Sequence, residues 1–132
     1  MKIIIMINDY LIYKPQSKNE LQYALDLWCV DKIKALKLYE HISLWNTSLI
    51  TNMSSLFKNK KYFNDNISNW NVSNVTSMFF MFYKCTNFNQ PLENWNVSKV
   101  TNMIKMFRKS QFNQPIEKWN VSNVKNKKNN KR

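Results

Sequence analysis

Along residues 76–85, "TSMFFMFYKC", the apolar positions Met78, Met81, Phe82 and Cys85 fall at i, i+3, i+4 and i+7. That spacing marks one face of a helix and predicts a short one there. The same spacing returns at Met103, Met106, Phe107 and Ser110. Thr76 or Thr101, just ahead of each face, suits the N-cap. Before each face stands a second pattern, as in "LENWNV", where Leu92, Trp95 and Val97 end in an alternation that predicts a short strand. After it, "FNQP" predicts an extended return, because Pro91 and Pro115 bias the preceding residue away from helix.

These patterns belong to one recurring phrase. Trp45, Trp70, Trp95 and Trp119 are spaced by 25, 25 and 24 residues, and the columns around them hold. Met53, Met78 and Met103 form one column, and Phe57, Phe82 and Phe107 another. Phe63, Phe88 and Phe112 form a third, while Ile67, Leu92 and Ile116 each sit three residues before a Trp. Self-similarity at this period signals a repeat array. A lone repeat has about eight apolar side chains, which stabilise by at most about 24 kcal/mol when buried. Ordering its backbone costs at least about 25 kcal/mol, so repeats must share their faces to fold. The fold class read from these patterns is α/β: a leucine-rich-repeat-like solenoid with a short strand and a short helix per repeat, capped by N-terminal helices.

Residues 1–41 differ in kind and read as that helical cap. Ser17 with Glu20 forms a capping box, and Leu21, Ala24, Leu25 and Trp28 make an apolar helix face. A second helix is expected from Asp31 to about Glu40, with Ile33, Leu36 and Tyr39 inward, and a strand around Tyr10 to Tyr13. Residues 42–124 hold three full repeats and one partial, and 125–132 read as a disordered basic tail. After Val124, where Thr and Met are due, Lys125 and the tail follow. The uncapped C-terminal end is therefore a candidate for self-association. A truncated paralogue without retained function is a further reading of the same feature.

The phrase "WNVSNVTSMFFMFYKCTNFNQPLENW" resembles the BspA-like surface-protein repeat of about 25 residues, catalogued as a domain of unknown function in mollicutes and in large DNA viruses of amoebae. The segment "KPQSKNELQYALDLWCVDKIKALKLYEHIS" resembles the helical lead-in of the viral members, which implies a host cytoplasm or a virion as its setting. The resemblance implies a leucine-rich-repeat-like solenoid that binds other macromolecules, and no catalytic residue is known in the family to carry over. Val75 and Val100 stand where a leucine-rich repeat usually has Asn or Cys, so the backbone coil is expected to differ.

Composition changes the picture mainly by exclusion. Glycine is absent, which excludes Gly-rich phosphate loops. The single histidine, His41, has no Cys beside it in sequence, so no Cys–His pair, metal site or cofactor is expected. Glu93 and Glu117 share a column but fall between inward positions, and read as surface residues rather than an acid pair. The chain is expected not to be an enzyme. Its two cysteines imply no disulfide framework and fit a reducing, intracellular compartment. The apolar run at Ile3 to Ile7 is too short for a signal peptide, and no window approaches a membrane span. Seven sequons occur, explained by the repeated Asn-x-Ser/Thr of the phrase rather than by glycosylation.

The net charge of +12 is uneven: +1 over residues 1–44, +6 over 45–124, and five cations without an acid in the last eight. Asn (21), Lys (18) and Ile (11) dominate, as AT-rich codons would produce. Two functional readings result. The first is a protein–protein interaction module of unknown partner. Its contact surface centres on Phe79, Phe80 and Tyr83, which lie off the expected core face and have only Ser54, Ser55 and Lys58 as counterparts in the first repeat. The second is a non-specific nucleic-acid-associated protein acting through Lys125, Lys127, Lys128, Lys131 and Arg132.

Overall fold

A computed structural model describes residues 4–7 and 10–126. The chain opens with β1 (Ile4–Ile7) and β2 (Tyr10–Tyr13), an antiparallel pair in which Ile5 faces Ile12. Two helices follow, α1 (Lys18–Val30) and α2 (Lys32–Tyr39), and then a 3-10 turn at Ile42–Leu44. The Ser17 side chain accepts from the Glu20 amide at 3.2 Å, so α1 starts where the capping residues place it. Leu21, Ala24, Leu25 and Trp28 are buried, as their spacing predicts. In α2 the expected inward face holds only at Tyr39, which packs against the core beside Tyr13 and Trp45. Ala35 is the buried residue of this helix, whereas Ile33 is 70% exposed and Leu36 is at the surface.

From Trp45 to Asn126 the backbone departs from the expected architecture. The α/β solenoid of leucine-rich-repeat type, with one strand and one helix in each repeat, is not formed. Among the described residues helix is confined to α1, α2 and the 3-10 turn, and strand to β1 and β2; the repeats are turns joined by single bridges. The reason lies in the backbone of the expected helices. Ser55 and Asn59, Phe80 and Lys84, and Lys105 and Lys109 all take φ between 54° and 64°. A left-handed residue at every fourth position stops a right-handed helix from propagating. The carbonyls and amides therefore turn sideways.

The amides of Met78, Phe80, Phe82 and Lys84 donate to the carbonyls of Asn102, Ile104, Met106 and Arg108, at 2.8–3.0 Å. Met53, Ser55, Phe57 and Asn59 donate in the same way to Ser77, Phe79, Met81 and Tyr83. Parallel bridges Asn52–Ser77, Ser77–Asn102 and Asn102–Asn126 extend this register. Thr76 and Thr101 are not helix caps. Their hydroxyls lie 3.2 Å from the carbonyls of Thr51 and Thr76, one repeat back, and donate to them.

Side-chain burial nevertheless follows the columns. Met78, Met81, Phe82 and Cys85 are buried, as are their counterparts in the third repeat. Phe57, Phe82 and Phe107 stack in sequence, with centroids 5.0 and 5.5 Å apart. Phe63, Phe88 and Phe112 do the same at 5.7 and 5.9 Å. The indoles of Trp70, Trp95 and Trp119 donate to the carbonyls of Ile42, Ile67 and Leu92. The aliphatic character of Ile42, Ile67 and Leu92 has a separate cause, since their side chains are fully buried in the core.

The repeated Asn-x-Ser also has a local cause. Asn46, Asn52, Asn66, Asn71, Asn96 and Asn120 each accept the amide two residues on, closing an Asx turn. The N-terminal segment joins the first repeat through Trp28, whose indole donates to Asp65 at 2.8 Å, and through a Lys60–Asp26 ion pair at 2.7 Å.

Candidate interaction surface

Phe79, Phe80 and Tyr83 come together, as their proximity in sequence suggests. The Phe79 and Phe80 rings meet edge to face at 4.2 Å, and Phe80 and Tyr83 at 4.9 Å. All three are half-buried and lie outside the buried core. The turn geometry produces this arrangement. The side chains of Met78, Met81 and Phe82 are buried in the core, while Phe80, at the left-handed position, places its ring outward beside Phe79 and Tyr83.

Sequence reasoning missed the lysines around these rings. The Lys58 ammonium lies over Phe80 at 5.2 Å and over Tyr83 at 5.9 Å. Lys105 lies over Phe80 at 5.4 Å, and Lys84 over Tyr83 at 5.4 Å. One lysine thus comes from each repeat. Such contacts contribute about 0.5–1 kcal/mol each where solvent reaches them. Among the described residues none of the three ammoniums pairs with a carboxylate. The signal was present in the column alignment, since Lys105 shares a column with Phe80, and Lys58 with Tyr83.

A concavity of about 460 Å³ lies between the end of α1 and the first repeat, lined by Trp28, Cys29, Lys32, Lys61, Tyr62 and Asp65 among others. Its charges are largely engaged internally, with Asp65 held by Trp28 at 2.8 Å and facing Lys32 at 3.7 Å. Cys29 is exposed at the rim of this concavity, and partial desolvation there raises its thiol. Burial also raises the Cys85 thiol, to about 12, and its sulfur donates to the Lys60 carbonyl at 3.2 Å.

His41 is a local turn residue. Its Nδ1 accepts from the Ser43 amide at 3.1 Å, and its ring packs on the edge of Trp28 at 5.0 Å. Glu117 is exposed and Glu93 half-buried. Among the described residues, no group of three His, Cys, Asp or Glu side chains is placed to hold a metal ion, and no helix is long and apolar enough to cross a membrane. Lys125 is exposed, and its amide donates to the Thr101 carbonyl at 2.9 Å. Lys127, Lys128, Lys131 and Arg132, the other residues expected to meet nucleic acid, lie outside the described residues, as does most of the tail expected to be disordered.

A family model described as "Mycoplasma protein of unknown function, DUF285" matches residues 21–131. The chain belongs to that family. The match takes in most of α1, all of α2 and the four recurring Trp residues. No curated protein and no solved structure matches this DUF285 member.

Proposed function

We propose that this DUF285 protein is a non-enzymatic repeat module that binds a protein partner through the surface centred on Phe79, Phe80 and Tyr83. The supporting observation is the backbone of Phe80. Its φ of 57° is an outlier for a bulky aromatic residue, and the left-handed region costs about 1–2 kcal/mol there. The fold does not require an aromatic at that position, because Ser55 and Lys105 occupy the same column with φ of 60° and 54°. An aromatic held in strain on the surface, beside two more, marks a contact site. The recurring Trp-Asn-Val-Ser phrase supports kinship with the BspA-like repeats, whose binding role agrees with this reading. The two free thiols support a reducing setting.

The test grafts the first repeat onto the second: Phe79→Ser, Phe80→Ser and Tyr83→Lys together, copying Ser54, Ser55 and Lys58. Partners captured by the full chain are compared between wild type and variant, and the purified partner is then titrated calorimetrically. A variant with unchanged circular dichroism that loses the partner supports the proposal. Loss of cooperative folding makes the three rings core, and undiminished binding places the contact elsewhere.

A further inference from the structure

We propose that this surface receives an acidic segment of the partner protein, whose carboxylates meet Lys58, Lys84 and Lys105 while its apolar side chains rest on the ring edges. The inference rests on the interaction reading above and adds the chemistry of what is bound. Charge complementarity carries it. The equivalent turns of the three repeats, residues 53–64, 78–89 and 103–113, hold seven basic residues and no Asp or Glu. On a chain of alternating charges this would be unremarkable solvation. Here three of those cations converge from three repeats onto two rings, within 5.2–5.9 Å of the centroids. No carboxylate of the described residues neutralises them.

Holding a lysine against a ring also prepares it for a ligand. An ammonium has three N–H donors, and a ring beneath it leaves others directed away from the surface. The long side chain is already restricted, so less freedom is lost when a carboxylate arrives. The same geometry favours a peptide over nucleic acid. Single strands bind by stacking bases on open aromatic faces. Phe80 has two ammoniums over its ring and the edges of Phe79 and Tyr83 beside it, so a base would have to displace the lysines to stack.

The test is fluorescence anisotropy with the full chain and three labelled probes. The first is a peptide of alternating glutamate and leucine, roughly 12 residues long so that it spans the three repeats when extended. The second replaces each glutamate by glutamine, and the third is an oligothymidylate of similar length. The acidic peptide is expected to bind at least about tenfold more tightly than the glutamine peptide. Its affinity should fall as salt rises. Lys58→Gln, Lys84→Gln and Lys105→Gln together should cost at least about tenfold. Lys34→Gln, Lys37→Gln and Lys99→Gln, which remove the same charge elsewhere, should change little. Equal binding of the two peptides, or equal losses from the two triple variants, overturns the proposal. Tighter binding of oligothymidylate than of the acidic peptide overturns it in favour of nucleic acid. If acidic peptide fails while the repeat graft still loses the captured partner, the interaction reading stands and the acidic class falls. If the graft loses nothing, both fall.

Discussion

The indole nitrogen of Trp95 donates to the backbone carbonyl of Ile67 at 3.1 Å, across one repeat boundary and inside the core. The same carbonyl accepts the Trp70 amide at 3.1 Å, so one oxygen closes a turn in its own repeat and anchors the next. Trp70 on Ile42 and Trp119 on Leu92 repeat the contact. Ile42, Ile67 and Leu92, three before Trp45, Trp70 and Trp95, are therefore each fixed twice, once by a buried side chain and once by the carbonyl.

Trp95→Phe keeps a ring in the stack but removes the donor. Because the Ile67 carbonyl retains one partner, the expected loss is moderate, about 1–2 kcal/mol from the hydrogen bond and the smaller ring. Urea denaturation should show a lower midpoint with an unchanged slope. An unchanged midpoint would mean that the indole contact contributes nothing.

The left-handed residues allow a stabilising change. Lys109 is exposed and takes φ 59° in a chain without glycine. The conformation costs about 1–2 kcal/mol for a residue with a Cβ. Glycine gives back about 0.5–1 kcal/mol of that through its freer unfolded state. Lys109→Gly should therefore raise stability by roughly 0.5–1 kcal/mol, and the β-branched Lys109→Val should lower it. Thermal unfolding of the two variants side by side reads the difference.

Cys85 links burial to alkaline stability. Its thiol ionises near 9.0 when exposed and near 12 in the folded chain, because burial disfavours the thiolate. The folded form holds the proton longer, so this contribution is intact below pH 9.0 and is lost as pH rises through the interval to about 12. The slope is at most ~1.4 kcal/mol per pH unit for this one group. Desolvation also raises Cys29, Tyr13 and Tyr39, so the wild-type loss is a sum to which Cys29 and the tyrosines contribute beside Cys85. Cys85→Ser, which copies Ser110 in the same column, should flatten the alkaline decline while leaving the Cys29 and tyrosine shares. Parallel curves for the two proteins would contradict the assignment.

Side-chain burial was legible in the columns, and the backbone was not. Spacing at i, i+3, i+4 and i+7 correctly marked Met78, Met81, Phe82 and Cys85 as inward. A run of tight turns with a left-handed residue at every fourth position buries the same set, so the spacing alone does not distinguish it from a helix. Glycine would have flagged those positions, and Ser55, Phe80 and Lys105 stand there instead. In α2, Ile33 and Leu36 were assigned inward because they are apolar, whereas contact with the rest of the chain is made at Ala35 and at Tyr39, the one position of the expected face that packs on the core. The aromatic half of the candidate surface was visible because Phe79, Phe80 and Tyr83 are close in sequence. Its basic half stood in the columns, where Lys105 aligns with Phe80 and Lys58 with Tyr83, but it was not legible as a surface without the sideways register that brings those lysines over the rings.

The measurement that bears most directly on this account is the scalar coupling across backbone hydrogen bonds, read by NMR on the labelled chain. Sideways pairing requires the Phe80 amide to couple to the Ile104 carbonyl, and the Lys84 amide to that of Arg108. Those couplings are the expected result, and they place Phe80 on the strained backbone that carries the proposed surface. Coupling of Phe80 to Thr76 and of Lys84 to Phe80, four residues back as in an α-helix, would contradict it.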